Sequence, residues 1–155
     1  MGKIFAVPIA STASAIAHDW VEVRAAASRK VTLVTIEISQ STEIGDAMEE
    51  MIRWNILIGE GSVTAGNGGA VTPRPVDSGG ASGFSARANS TTRLAVGTGT
   101  LYTIAMAPFN VRTGLFHCPV PEARWSVLNQ NYLAVGCIAP VDSVTWEGVA
   151  YFEED

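Results

Sequence analysis

Apolar and polar residues alternate with a period of two along most of the chain, and this pattern constrains the fold more than any other feature. In RKVTLVTIEIS, Val34, Ile36 and Ile38 alternate with Thr35 and Glu37. Successive side chains of a strand point to opposite faces of its sheet, so this alternation is typical of a strand with one buried face. Similar patterns occur in DWVEVRA, MIRWNILIG, GTLYTIAMAPF, YLAVGCIAPV and SVTWEGVAYFEE. These runs are rich in the β-branched and aromatic residues that strands favour.

The run DWVEVRA shows the alternation near the beginning of the chain. Trp20, Glu22 and Arg24 form one set, and Val21 and Val23 form the other. We therefore expect the two sets of side chains to lie on opposite faces of one strand.

The number and spacing of these runs determine the expected architecture. About eight or nine strands are predicted, separated by clusters of Gly, Pro, Asn and Ser. Many short strands joined by such turns are typical of a β-sandwich, a jelly roll or a closed barrel. A jelly-roll-like β-sandwich of about eight strands fits best, and the length suits a single all-β domain over residues 1–155.

One short stretch departs from the period of two. In GDAMEEMIRW, Asp46 is suited to cap a helix, and Glu49, three residues further on, completes a capping box. The period of two then resumes, and the next strand places four apolar residues on one face: Ile52, Trp54, Ile56 and Ile58. We therefore expect one helical turn or a bulge that leads into a strand.

The first 17 residues allow two interpretations. Lys3, the apolar run 4–10 and the small-x-small sequence 15–17 have the form of a secretory signal. The apolar run is at the lower bound of length for such a signal, however, and Pro8 interrupts it. We expect residues 1–17 to form an ordered N-terminal arm or strand of the protein.

The longest irregular segment is 59–83, which contains eight of the fifteen glycines. Loops longer than about 12–15 residues are usually functional or disordered. The residue before a proline is pushed away from helical conformation, so TPRPV, with Pro73 and Pro75, is expected to be extended. We predict an extended loop or arm that lies over a neighbouring surface.

The composition favours burial against other subunits and excludes some partners. The chain is 47% hydrophobic and only 16% charged, so a monomer would leave apolar surface in water. Lysine is a common defence of sheet edges, and the chain has two, Lys3 and Lys30. The net charge of −5 argues against a nucleic-acid binder. A membrane-spanning helix needs about 20 apolar residues, and the sequence has no such stretch.

The two cysteines and two histidines do not predict a catalytic site. Cys118 and Cys137 would pair in a secreted protein and remain free thiols in the cytoplasm. Both lie in apolar runs and are expected to be buried. His117 and Cys118 are adjacent and would point to opposite faces of a strand, whereas His18 is free to approach Cys118 in the fold. We predict no catalytic residue.

Other motifs of chemical interest are equally incomplete, and no cofactor or metal ligand set is predicted. The glycine-rich segment lacks the G-K-[ST] ending of a phosphate-binding loop. Three carboxylates are expected to form a solvated edge rather than a calcium site: Asp46, Glu49 and Glu50. Trp54 is expected in the core, whereas three tryptophans beside polar residues allow a shallow sugar platform: Trp20, Trp125 and Trp146.

Several segments resemble small β-structured proteins encoded by tailed bacteriophages and prophages. These are QSTEIGDAMEEMIRWNILIGEG, GNGGAVTPRPV, APFNVRTG, PVPEARW and GVAYFEE, and the resemblance extends from about residue 25 to residue 154. The chain is most similar to capsid decoration, or cement, proteins. This resemblance implies a jelly roll or small barrel, a trimer on the outside of the head at three-fold or quasi-three-fold positions, and no enzymatic activity. No site residue is transferred from it.

The sequence and the resemblance together predict a non-enzymatic virion subunit on the outer surface of the head, assembled in the host cytoplasm. It would clamp the major capsid protein, form a homo-oligomer, with a trimer favoured, and bind neither nucleic acid nor membrane. Cytoplasmic assembly implies free thiols. The predicted intersubunit or capsid contacts are Ile4, Phe5, Val7, Pro8, Pro73, Arg74 and Pro75. The alternatives are a tail, neck or fibre-associated virion protein, or a lectin-like module that binds a carbohydrate or receptor.

Overall fold

Fourteen strands occur in the parts of the chain that the computed structural model describes, residues 2–42, 50–77 and 79–155. In chain order they are β1 (Lys3–Ser14), β2 (His18–Arg24), β3 (Val31–Gln40), β4 (Met51–Glu60), β5 (Val63–Thr64), β6 (Gly69–Val71), β7 (Arg74–Pro75), β8 (Ser85–Ser90), β9 (Ala95–Val96), β10 (Thr100–Asn110), β11 (Leu115–His117), β12 (Ser126–Val127), β13 (Tyr132–Cys137) and β14 (Val144–Glu154). A 3₁₀ helix, Pro121–Ala123, precedes β12.

The strands form two six-stranded antiparallel sheets and one small ribbon. The first sheet has the order β11-β3-β14-β1-β7, and β12 also pairs with β3. The second sheet has the order β10-β4-β13-β2-β8-β6, and β5 pairs with β9 in the ribbon. The structure confirms the all-β class and the sandwich architecture predicted from the sequence.

The main core lies between the two sheets and is built on large aromatic side chains. Trp20 of β2 meets Trp146 of β14 with ring centroids 5.3 Å apart. Phe5 of β1 packs edge-on against Phe84, at 5.6 Å. Both pairs join residues from distant parts of the chain, so closing the sandwich depends on non-local contacts.

The predicted faces of β3 and β4 are largely confirmed. Ile36 and Ile38 are buried and Glu37 is exposed. Val34 is only half-buried, because the register between β3 and β14 shifts there and Leu33 takes the inward position. On β4, the predicted apolar face packs into or against the core: Ile52, Trp54, Ile56 and Ile58.

The expectation for β2 is wrong in two respects. Trp20 lies in the same core cluster as Val21 and Val23, because the register between β13 and β2 shifts between Val135 and Gly136. Glu22 is also buried, with 2% of its surface exposed. Burial extends over both faces of β2 because two stretches of the chain between β4 and β10, residues 63–68 and 91–96, cover the outer face of the second sheet.

Residues 3–14 form a long strand inside the first sheet. For residues 1–17 the sequence predicted an ordered arm or a strand, and the structure has a strand. β1 pairs with β14 along nearly its whole length and with β7 through Phe5 and Ala6. The segment predicted as an extended loop over a neighbouring surface, 59–83, pairs instead with the chain's own sheets. It contains the end of β4 and the strands β5, β6 and β7, of which β6 joins the second sheet and β7 the first.

The helical turn predicted around Asp46 and Glu49 lies outside the described residues. The strand that it was expected to lead into begins at Met51.

Candidate functional site

The two segments predicted to carry the contacts lie next to each other in the fold. Phe5 is paired with Pro75, and Ala6 with Arg74. The amide of Val76 donates a hydrogen bond to the carbonyl oxygen of Ile4, at 2.9 Å. The β1 and β7 segments therefore form one edge region of the first sheet.

The accessibility of these residues divides them into two groups. Phe5 and Val7 are completely buried in the chain's own core, because alternate side chains of β1 point inward, and Pro73 is also buried. Their side chains are thus not available to a partner in this fold. The accessible predicted contacts are Ile4, Pro8, Arg74 and Pro75. A contact role for these four stays a prediction.

A long strand with several exposed apolar side chains lies elsewhere, at the edge of the second sheet. β10 pairs with β4 on one side, and no strand of the described residues pairs with its other side. Its sequence, TLYTIAMAPFN, contains no charged residue. Tyr102, Ile104 and Met106 expose 46%, 37% and 50% of their surface. We call β10 the uncharged edge.

An open apolar groove continues the uncharged edge onto the outer face of the sheet. It has a volume of about 560 Å³ and is lined by Met51, Arg53 and the segment 106–108. A second groove of about 540 Å³ also contains Met51 and Arg53 and extends to Ile138 and Val141. The exposed apolar side chains thus form a surface that is broader than one strand.

Sequence reasoning recognised β10 as a strand but did not predict its role. The position of a strand within its sheet is set by long-range pairing, which periodicity does not report. The signal that was present is the absence of charge from eleven consecutive strand residues, because edge strands normally carry charged side chains.

His18 lies beside a cysteine that the sequence did not indicate as its neighbour. Its Nδ1 lies 3.6 Å from Sγ of Cys137, rather than near Cys118, and 3.1 Å from the carbonyl oxygen of Ile16. Burial lowers the pKa of His18, and burial raises the pKa of Cys137 to about 12. A thiol with such a pKa stays protonated at neutral pH, so the pair lacks the thiolate that a cysteine nucleophile needs.

A buried ion pair joins β2 to residues 63–68 and 91–96, which together we call the covering segment. Nε of Arg93 donates to Oδ1 of Asp19 at 2.7 Å, and the amide of Leu94 donates to Oδ2 at 2.8 Å. Arg93 also donates through Nη2 to Oδ1 of Asn55, at 2.7 Å. Asp19 is completely buried, and both carboxylate oxygens are satisfied by the chain itself. This arrangement holds the covering segment in place.

Glu22 makes a second polar attachment to the same segment. Its Oε2 accepts a hydrogen bond from the amide of Gly66 at 2.8 Å, and the amide of Gly68 donates to Oγ of Ser90 at 3.0 Å. Burial raises the pKa of Glu22. These glycine-rich amides therefore bind internal side chains, which leaves them unable to cradle a phosphate.

His117 lies between two tryptophans at the edge of the first sheet. It stacks on Trp125 with centroids 5.1 Å apart and contacts Trp54 at 4.8 Å. Partial burial lowers the pKa of His117. Cys118 is exposed, contrary to the expectation that both cysteines are buried, because it follows the end of β11. Within the described residues both cysteines are free thiols.

The tryptophans give little support to a sugar platform. Trp20 and Trp146 are completely buried and Trp54 nearly so, whereas Trp125 is half-buried. In the described residues, no group of three His, Cys, Asp or Glu side chains is arranged to hold a metal ion. Of the predicted acidic cluster, Asp46 and Glu49 lie outside those residues.

Comparisons of the chain with protein-family models, curated proteins and solved structures find no match. The described part of the chain contains no helix with the length and apolar character that crossing a bilayer demands.

Proposed function

We propose that this protein is a non-enzymatic structural subunit that works by binding other protein surfaces. More specifically, we propose a virion protein of a tailed bacteriophage that decorates and clamps the outside of the head. The observation that carries the general proposal is the uncharged edge, an accessible apolar strand on a well-packed sandwich. The phage assignment rests on the sequence resemblance.

The internal polar chemistry also favours a structural function. Asp19 and Glu22 bind the covering segment, and the thiol of Cys137 is buried and protonated. These are the groups that would otherwise be candidates for catalysis. Each has a role within the fold, whereas the exposed surface offers apolar side chains.

Head decoration would use this surface through many weak contacts. The expected partner is the major capsid protein, and each decoration subunit would bridge neighbouring capsid subunits. Linked contacts raise overall affinity well above that of any single contact. The homotrimer implied by the resemblance would provide several such contacts, and free thiols agree with assembly in the host cytoplasm.

We interpret the strand order as a jelly roll with an insertion. Eight strands make up the proposed jelly roll, in chain order β1, β2, β3, β4, β10, β11, β13 and β14. Successive strands of this set lie in opposite sheets, except that β4 and β10 are neighbours in the second sheet. They are adjacent as β1-β14-β3-β11 and β2-β13-β4-β10, and the segment with β5 to β9 is inserted between β4 and β10. This order has the two-sheet form of a jelly roll.

The test is to locate the protein in particles produced by the phage or lysogen that encodes it. Purified particles would be analysed by quantitative mass spectrometry and labelled with an antibody against the chain for electron microscopy. Head labelling, with a copy number that scales with the capsid protein, supports decoration. Labelling of the tail, neck or fibre base supports the alternative virion position instead.

Absence from purified particles would overturn the virion proposal in all its forms. In that event glycan-array binding of the isolated protein would test the lectin-like alternative. Trp125, which is half-buried and stacked on His117, would be the tryptophan whose fluorescence is followed during such a titration.

A further inference from the structure

We propose that β10 pairs antiparallel with β10 of a second copy, so that two second sheets join into one continuous sheet across a two-fold axis. The inference deepens the proposed function, because it names one partner of the uncharged edge. It depends on the edge itself and not on the phage assignment.

The first argument is the contrast between β10 and the other sheet edges. β10 has eleven residues, whereas the strands at the other sheet edges are short. β7 has two residues and β6 has three; at the remaining edge, β11 has three residues and β12 has two. Eleven residues of strand extend over about 35 Å. Proteins usually protect long edges with charge, short length or cover. In the described residues, β10 is the longest strand that lies at an edge of its sheet, and it carries no charge.

The second argument is charge. Two copies that meet along β10 bring no like charges together within the strand, because it contains none. Exposed residues of opposite sign flank its two ends. Glu60 lies on β4 beside Thr100, and Arg112 follows Asn110 by two residues. Antiparallel pairing directs the Arg112 end of one copy toward the Glu60 end of the other, whereas parallel pairing would bring like charges together. The edge is therefore self-complementary in one orientation.

The third argument concerns the strength of the contact. The register shift between Thr103 and Ala105 interrupts the β10–β4 ladder, and Pro108 has no N–H to donate. The ladder between copies is therefore short. Tyr102, Ile104 and Met106 supply apolar contact beside it. We expect a dimer whose population depends on concentration, as in interfaces of small area. This two-fold contact is an alternative to the trimer implied by the resemblance, and the mass of the isolated protein distinguishes the two.

The test begins with the mass of the full chain by light scattering and analytical ultracentrifugation over a wide concentration range. The wild-type protein should approach twice the 16.3 kDa of one chain. Ile104→Lys should shift the dissociation constant upward at least tenfold, because the variant places charge on both edges near the axis. Phe116→Lys is the matched control, since Phe116 is an exposed apolar residue on β11, an edge of the other sheet.

Variants with one exposed cysteine beside the buried Cys137 then test the orientation. In a Cys118→Ser background, cysteine is introduced at Tyr102, Ile104 or Met106 and the dimer is treated with a mild oxidant. Disulfides need Cα atoms within about 7 Å. In an antiparallel two-fold contact only positions near the axis meet their own counterpart, so one of these positions should cross-link much faster than the others. Phe116→Cys in the same background gives the rate of random collision.

Each outcome bears on the proposal. The proposal is overturned if the protein is a monomer at every concentration. It is also overturned if Ile104→Lys leaves the dimer unchanged, or if Ile104→Lys and Phe116→Lys weaken the dimer equally. Equal cross-linking at all three positions overturns the antiparallel orientation. Thermal unfolding must show that Ile104→Lys is folded, and Met106→Lys replaces it if not. If the protein dimerises but is absent from particles, this inference holds and the proposed function fails. If the protein is present on particles but does not dimerise, the proposed function holds and this inference fails.

Discussion

The ion pair between Asp19 and Arg93 offers a direct test of how the covering segment is held. Replacing Arg93 with methionine keeps much of the side-chain volume and removes the charge. It leaves the carboxylate of Asp19, which is completely buried, with the amide of Leu94 as its remaining hydrogen-bond donor. The substitution also removes the hydrogen bond to Asn55.

The expected cost follows from the burial of the two partners. Removal of one partner from a buried ion pair typically costs about 3–5 kcal/mol. Arg93 retains 21% exposure of its side chain, so water screens part of the loss. We expect Arg93→Met to lower the free energy of unfolding by about 3 kcal/mol, the low end of that range. This is a large share of the roughly 5–15 kcal/mol that stabilises a typical domain.

The assay is equilibrium unfolding in urea, with two further variants. Lys30→Met is the control, because Lys30 and Asp155 form an ion pair in which both side chains are more than two-fifths exposed; we expect a loss below about 1 kcal/mol. The double variant Asp19→Asn, Arg93→Met removes both charges and should recover about 1.5 kcal/mol or more of the loss. If Arg93→Met costs no more than Lys30→Met, the reasoning about the buried carboxylate is wrong.

Three further predictions concern His18, the two cysteines and Gly148. Burial lowers the pKa of His18 below its ordinary value of 6.5, so this imidazole binds a proton in the unfolded chain before it does so in the folded one as the pH falls. The free energy of unfolding should therefore decline below about pH 6.5. Urea unfolding at pH 7.5 and 5.5 should show a smaller decline for His18→Gln than for the wild-type protein. A thiol reagent should modify Cys118 quickly and Cys137 only after denaturant is added; fast modification of both in the native protein would contradict the burial of Cys137. Gly148→Ala should lower the free energy of unfolding by about 2 kcal/mol or more, because its Cβ would overlap the carbonyl oxygen of Glu37 across the β14–β3 pair; unchanged thermal stability would show that the strands can separate there.

Periodicity predicted the strands of this protein well but predicted side-chain faces only where the pairing is regular. On β4, the predicted face of Ile52, Trp54, Ile56 and Ile58 packs into or against the main core, although Asn55 and Leu57 of the opposite face are buried as well. On β2 and β3, register shifts move Trp20 and Leu33 into positions that a strict period of two does not assign to them. A bulge adds one residue to one strand, and it depends on the partner strand, which is distant in sequence.

The burial of Asp19 and Glu22 depends on still more distant residues. Each looks like an exposed polar residue of a half-buried strand, and each is covered by a segment more than forty positions away. The composition of 59–83 correctly indicated a segment without long strands. It did not indicate that its amides and Arg93 would find partners on the chain's own sheet, because hydrogen-bond pairing of this kind has no local signature.

The low charge of the chain has two physical sources, and the structure separates them. The first is intramolecular: the second sheet is covered on both faces, so β2, β4 and β13 carry apolar or internally paired residues where a simple sandwich would carry charged ones. This source requires no partner. The second is the uncharged edge, where nothing in the described residues covers Tyr102, Ile104 and Met106. From the composition alone, we expected the whole of the low charge to reflect contacts with other subunits. Only the second supports an interface, and the proposal of an assembling subunit therefore depends on β10 rather than on the overall composition.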